Sequence, residues 1–438
     1  MIFINEEQII QNGRTDELKP ARRDILVMFD AAAHAVDPYN VTLNHLQKHP
    51  IFERSKHESI YLVAFGKASV SMAKAACNTL PIKEGVVITN DENNKVHHKN
   101  VKTYIGDHPI PTRRNIEATN QALSTIEKCK KNDLLIILIS GGGSALLCKP
   151  RIPLQDLQKT TDLLLKSGAD ITEINTIRKH LSQVKGGQLA RLAQCNIISY
   201  IISDIVGDPI EFIASGPTAP DSTTYLDAKK LLTKHNLWNK TPNSVQDVIE
   251  KGVKGELPET PKPGDNVFNR VKNIVVANNS NACKAAFEKA KKMGYKPTIL
   301  STTLTGEARR IGKHVVTYAM DTLSSNSVLV AGGETTVTVR GNGRGGRNQE
   351  MVLSTVDLIA GKSIVFSSFA TDGIDGNSDA AGAIADGFTK KRAEAKGLCP
   401  DEYLDNNDSY RFFKNLNDLL FTGPTGTNVM DIQIIMHL

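Results

Sequence analysis

The stretch LLIILISGGGSALL, residues 134–147, decides how the chain is read. Six consecutive aliphatic residues, Leu134–Ile139, make the continuous apolar run of a strand buried on both faces. The run stops at Ser140, three glycines follow at Gly141, Gly142 and Gly143, and Ser144 leads into Ala145–Leu147, which can open a helix. Strand, glycine turn and helix in that order are the start of a βαβ unit. The pattern recurs at Tyr61–Phe65 before Gly66-Lys67, and at Ile197–Ser203 before Asp204 and Gly207-Asp208. It returns at Val328–Ala331 before Gly332-Gly333-Glu334, and at Ser363–Ala370 before Thr371-Asp372-Gly373. The fold class is therefore α/β with a mostly parallel sheet. Ligands of open α/β sheets sit at the carboxyl ends of strands, so these five endings are expected to converge on one crevice.

The bulk properties exclude several classes. At 438 residues the chain has length for two or three domains, and 40% hydrophobic with 23% charged residues is ordinary globular composition. The net charge of +6 is dispersed. Its densest runs, Lys128–Lys131 and Lys390–Lys396, lack interleaved aromatics and read as solvated helix faces, so no nucleic-acid partner is expected. The six cysteines show no CxxC spacing and read as reduced thiols. No run reaches 18 apolar residues, and Glu6, Glu7, Asp16 and Glu17 suit neither a signal nor a transit peptide. No membrane partner and a cytoplasmic location are expected.

Residues 20–48 read as a helical lead-in. From Tyr61 to Lys251 strands alternate with amphipathic helices, except over 154–194, a helical stretch carrying Asn175, Arg178, Lys179, His180 and Lys185-Gly186-Gly187. The segment Gly252–Asn269 is rich in Pro, Gly and charge and is expected to be a linker, giving domains 1–262 and 263–438. The second α/β unit is expected to start at Ile274–Ala277, with a helix over Asn348–Leu358 and a closing strand at Asp431–Leu438.

The chemistry is concentrated in SVLVAGGETTVTVRGNGRGGRNQE, residues 327–350, where a second β-rich run, Thr335–Val339, follows the first. Six of the fifteen residues 332–346 are glycine. Glycine costs conformational entropy on folding, and backbone N–H groups approaching an anion are one reason to place it. Residues 341–346 also match GxGxxG, so three readings stand: a phosphate clamp, a dinucleotide loop, or a structural loop. Gly141–Ser144 is either a second anion cradle or a tight turn. Lys67, after a strand and a glycine, is suited to an anion as a point charge. Arg347 is suited to a phosphoryl or carboxylate group as a planar fork, or else pairs with Glu350. Asp204, Asp208, Asp372, Asp375 and Asp379 read either as ligands for Mg²⁺ on nucleotide phosphates or as turn residues. Thr427 and Asn428 can hold a polar substrate. No GxxxxGK[ST] and no GxSxG occurs, against a P-loop enzyme and a serine hydrolase.

Eight motifs in order carry a further resemblance: GGGSALL at 141–147, INTIRKHLSQVKGGQLA at 174–190, SDIVGDP at 203–209, ASGPT at 214–218, GGET at 332–335, GRNQE at 346–350, TDGIDG at 371–376 and TGTNVMD at 425–431. Together they resemble the type II glycerate 2-kinases, which pair an N-terminal α/β domain with a C-terminal MOFRL domain. The resemblance implies two α/β domains with the active site in the cleft between them. It implies ATP-dependent, Mg²⁺-requiring phosphorylation of D-glycerate to 2-phosphoglycerate. Carried over residue by residue, Lys67 and Arg347 are expected to be catalytic; the resemblance does not single out an aspartate, and a carboxylate, Asp204 or Asp372, is expected to hold Mg²⁺ or accept the hydroxyl proton. Gly141, Gly142, Gly143, Ser144, Lys185, Gly186 and Gly187 are expected to hold nucleotide phosphates. Arg178, Glu334, Asn348, Thr427 and Asn428 are expected to contact the substrate, and Asp204, Asp208 and Asp372 the metal. The partners are then D-glycerate and ATP, with a homodimer as the expected assembly. The competing reading is an NAD(P)H-dependent hydroxypyruvate reductase built on the GxGxxG match.

Overall fold

In the computed structural model, which describes residues 1–48 and 57–438, the chain divides into two compact units. One comprises residues 38–203 and 208–276; the other comprises residues 1–37, 204–207 and 277–438.

The first unit is built on a six-stranded sheet, β1 (Ile60–Phe65), β2 (Ile82–Thr89), β3 (Val101–Ile105), β4 (Leu134–Ile139), β5 (Asn196–Ile202) and β6 (Val271–Ala277). Their spatial order is β3-β2-β1-β4-β5-β6, and β1 pairs in parallel with both β2 and β4. Every residue of β1 and β4 is buried, which is why both read as unbroken aliphatic runs. Chain order reverses between β1 and β4, the topological switch point where the carboxyl ends of a doubly wound sheet open a crevice. Gly66 and Ser140 follow the two strands, and Gly66, at φ +122°, lies so close to Ser140 that no Cβ fits. A layer of helices at Leu154–Lys166, Ile171–His180 and Tyr225–Lys234 forms its own apolar cluster around Ile177, Tyr225 and Leu232.

The second unit carries a mixed sheet of β7 (Lys296–Leu304), β8 (Ser327–Gly333), β9 (Ile364–Ala370), β10 (Gly382–Asp386), β11 (Leu419–Leu420) and β12 (Asp431–His437), in the order β11-β10-β9-β12-β8-β7. The closing strand β12 lies in the middle, antiparallel to β8 and β9. Its register sets Asp431 opposite Gly333 on one side and Ala370 on the other. The segments around Glu334, Asp372 and Asp431 therefore leave the sheet at the same end.

Three expectations change. The units do not divide at 262/263. Helix Leu18–Ala35 belongs with the mixed sheet, where the buried Arg22 pairs with Asp386 at 2.6 Å and Asp418 at 2.8 Å and Phe29 packs on Phe369. Removing one partner from such a buried ion cluster costs about 3–5 kcal/mol, enough to fix that helix in place. The segment 252–269 is a strap on the parallel-sheet unit, tied by Thr260 to Asp221, Glu259 to His180 and Arg191 to the Glu259 carbonyl. Lastly, 335–339 is no strand: it makes one bridge, Glu307 to Thr336, and Val339 is 73% exposed. The five strand endings fall on two sheets, β1, β4 and β5 on one and β8 and β9 on the other.

Candidate functional site

At the switch point of the parallel sheet the loop after β4 meets the loop after β1. The Lys67 N–H donates to the Gly141 carbonyl at 2.9 Å and the Ala68 N–H to Ser140 Oγ at 3.1 Å. The turn at Gly142 has φ +80° and packs against the His108 ring and the Lys67 stem. Lys67 is exposed. Among the described residues, the N–H groups of Gly141, Gly142 and Ser144 donate to no protein acceptor, as an anion cradle requires. Burial, and then the Lys67 charge, lower the pKa of His108, so this imidazole is neutral beside the cradle at physiological pH.

Lys185 reaches the same loop from the helical layer. Its ammonium donates to the carbonyls of Ser144 at 2.6 Å and Leu147 at 3.0 Å, and only 6% of the residue is exposed. Burial, with Arg178 adding to it, brings its pKa down to about 8, against the opposing pull of Cys148. Gly186 and Gly187 differ from expectation. Their N–H groups donate to the carbonyls of Ser215 at 3.0 Å and Gly216 at 2.7 Å, so they anchor the Lys185 turn and do not face an anion. Ser215 in turn hydrogen-bonds Ser144 and Asn175, each at 2.9 Å. Arg178, expected at the substrate, lines one cavity with Ser144 and Lys185, and burial lowers its pKa.

The mixed-sheet unit gathers a second group. Arg347 opens the helix Arg347–Leu353 and is bound by Asp431 at two points, Nε to Oδ2 at 2.5 Å and Nη2 to Oδ1 at 3.0 Å. Its Nη1 pairs with Glu334 at 3.1 Å. Glu350, the alternative partner, is taken by Arg309 at 2.8 Å. Burial lowers the pKa of Arg347, but the charge and hydrogen bond of Asp431 together with the charges of Glu334 and Asp375 outweigh it and leave the guanidinium more basic than usual. Glu334 is pushed up by burial, pulled down by Arg347, and pushed up again by Asp431, Asp204 and Asp372. Asp431, Glu334 and Asp375 thus act on one arginine while Asp204 and Asp372 bear on Glu334, a negative excess that suits a cation. Among the described residues, no group of three or more His, Cys, Asp or Glu side chains forms a metal cage. A Mg²⁺ held by one or two carboxylates, substrate phosphates and water needs none. Asp204 and Asp372 lie in this unit; Asp208 lies in the other, as a turn residue at φ +56°.

Asp375 supports Arg347 from below. Its fully buried carboxylate accepts from the backbone and side-chain nitrogens of Asn348, both at 3.1 Å, and of Gln349 at 2.9 and 3.0 Å. Asn348, expected at the substrate, is committed to this network, its Oδ1 accepting from Ser368 at 2.5 Å. Thr427 is likewise committed, donating to the Val36 carbonyl at 3.1 Å. Asn428 is half-buried, and its Oδ1 closes a turn onto the Met430 N–H. The loop 341–346 is a structural loop and not a phosphate clamp. The N–H groups of Arg340 and Gly341 donate to Asn407, that of Asn342 to Asn406, that of Arg344 to Asp408 and that of Gly345 to Asn377. With those donors spent, the loop keeps only the Gly346 N–H among the described residues, too few for the row of amides that a phosphate clamp or a dinucleotide loop needs. Sequence reasoning missed His108 and Asp431 as the partner of Arg347; Asp375, a metal-ligand or turn candidate within the TDGIDG signal, instead holds Asn348 and Gln349.

Comparison with known proteins places the chain in a family. A family model described as a domain of unknown function, DUF4147, matches residues 24–250, and the MOFRL family model matches residues 327–431. A Pyrococcus horikoshii protein named glycerate 2-kinase is 43% identical over 418 residues, covering 92% of this chain and 94% of its own. An Agrobacterium vitis relative named for hydroxypyruvate reductase is 37% identical over 430 residues, covering 95% and 94%. The crystal structure of a Thermotoga maritima glycerate kinase superposes with a TM-score of 0.87 at 38% identity, covering 96% of this chain and 100% of that one. Lys67 and Gly141–Ser144 lie inside the first family model and Glu334, Arg347, Asp372 and Asp431 inside the second, and this chain belongs to the MOFRL-domain glycerate 2-kinase family.

Proposed function

We propose that the chain is a glycerate 2-kinase that transfers the γ-phosphoryl group of ATP to the C2 hydroxyl of D-glycerate. The observation that carries the reading is the open cradle of Gly141, Gly142 and Ser144 beside Lys67 at the switch point of the parallel sheet. Phosphoryl transfer asks for little covalent chemistry from a protein; it asks for positioning and for neutralised charge. The N–H groups of the cradle hold terminal phosphate oxygens, and Lys67 offsets the charge that shifts during transfer. Arg347, locked by Asp431, presents its remaining N–H groups to the glycerate carboxylate, and Glu334 fixes the angle of the fork. Asp204 accepts the proton of the attacking hydroxyl. Asp204 and Asp372 would hold Mg²⁺, which supplies charge neutralisation on the β- and γ-phosphate oxygens. A homodimer is the proposed assembly. No helix among the described residues is long and apolar enough to cross a membrane.

The reductase reading needs a nicotinamide site, and its one sequence signal, the loop 341–346, has its N–H groups consumed. The experiment is ADP release from MgATP with D-glycerate, L-glycerate and hydroxypyruvate in parallel, alongside NAD(P)H oxidation with hydroxypyruvate. Turnover confined to D-glycerate and ATP is expected. NAD(P)H oxidation without ADP release overturns the kinase.

A further inference from the structure

Beside the cradle lies a cavity of about 480 Å³, within the parallel-sheet unit. That volume is in the range of small-molecule sites and far exceeds what a three-carbon acid fills. Its two ends differ in chemistry. At one end stand Gly142 and Ser144 of the cradle, with Lys185 and Arg178. Lys185, only 6% exposed, donates to the carbonyl oxygens of Ser144 and Leu147 and has no carboxylate partner among the described residues. A buried ammonium without a counter-charge is costly, and an anion entering beside it removes that cost. The rest of the lining is largely apolar, with Pro109, Ile110 and Pro111 from one loop and Leu157 and Leu165 from the helix Leu154–Lys166. Ile110 and Leu165, large aliphatic side chains at a concave surface, are 61% and 63% exposed, with nothing among the described residues covering them. The one acid on the lining, Asp162, is paired with Lys166 at 2.8 Å and is 59% exposed.

A ligand matching this cavity has a flat apolar body and a polyanionic tail leading to the cradle. We propose that the cavity seats the nucleoside of ATP, its base between Ile110, Pro111, Leu157 and Leu165, its phosphates passing Arg178 and Lys185 toward Gly142 and Ser144. Arg178 then binds the nucleotide and not glycerate. The proposal deepens the kinase reading and rests on it.

The test is calorimetric titration of the full chain with ADP and, separately, with tripolyphosphate, which has the tail without the base. Thr161→Trp fills the cavity from its lining, and Leu165→Trp does so from the exposed mouth, where folding is not at stake; melting curves check both. The expected result is an ADP Kd raised tenfold or more in each folded variant, with the tripolyphosphate Kd and the KM for D-glycerate unchanged. An ADP Kd unchanged in Leu165→Trp, or a raised KM for D-glycerate with normal ADP binding, overturns the seat alone. No ADP binding by the unaltered chain overturns the kinase reading and the seat together.

Discussion

Arg347 and Asp431 form a two-point ion pair, 2.5 Å from Nε to Oδ2 and 3.0 Å from Nη2 to Oδ1, in which the carboxylate is 1% exposed and the guanidinium 28%. The arginine is thus anchored on its inner edge and presents its outer edge. Asp431 sits at the start of the central strand β12, so the anchor is rigid.

Replacing Arg347 by Ala should lower kcat by about 10²–10³, the usual cost of removing one preorganised donor to developing charge. It should also destabilise the fold by about 3–5 kcal/mol, because Asp431 is left buried and unpaired. Adding Asp431→Asn should recover most of the stability and none of the activity. Steady-state kinetics with thermal melts check this; recovery of kcat in the double variant contradicts a direct role for Arg347.

Lys67 is exposed and makes no ion pair among the described residues, so Lys67→Met should leave the melting temperature unchanged. Its kcat should fall by about 10², with a smaller change in the KM for ATP. A variant with wild-type kcat removes Lys67 from the mechanism.

Lys185 has its pKa lowered, chiefly by burial, from 10.5 to about 8. Above that pH the ammonium is lost in the free protein, so the KM for ATP should rise as pH increases through about 8. The KM for D-glycerate should not follow. Lys185→Arg, which holds its charge throughout, should flatten the ATP profile, and an unaltered inflection in that variant assigns the effect elsewhere.

Burial raises the pKa of Asp375 from 3.8 to about 6, while hydrogen bonds from Gln349 and Asn348 hold it down. In the window between those values the folded state binds more protons than the unfolded state. This residue's contribution to stability is therefore complete below pH about 4 and is lost as pH rises through about 6. The difference in melting temperature between the wild type and Asp375→Asn should shrink or reverse over that interval. A difference independent of pH contradicts the assignment. Because Asp375 holds the start of the helix that carries Arg347, the same variant should lower kcat more than it raises the KM for ATP.

Much of the fold could be read from uninterrupted aliphatic runs. Leu134–Ile139 and Tyr61–Phe65 have no polar residue to expose, so burial on both faces was the one arrangement open to them. The cradle was legible for a related reason, since Gly141–Gly143 directly follows such a run. The 341–346 loop was not. Its N–H acceptors come from Asn406, Asn407 and Asp408, more than sixty positions away, and no local pattern announces them. Thr335–Val339 has strand composition yet lacks a neighbouring strand to pair with beyond one bridge, so tertiary context overrode propensity. Asn348 and Thr427 are expected at the substrate from the GRNQE and TGTNVMD motifs. Their partners, Asp375, Ser368 and the Val36 carbonyl, emerge only when distant segments meet. The place of Leu18–Ala35 on the mixed sheet was hidden in the same way, since it depends on Arg22 finding Asp386 and Asp418.

The most direct test of the central claim is proton-coupled ³¹P NMR of the product formed from ATP, Mg²⁺ and D-glycerate. A phosphate on C2 couples to a single carbon-bound proton and gives a doublet, the predicted result. A triplet, from the two protons of C3, or no new phosphate ester beside consumed ATP, contradicts the account.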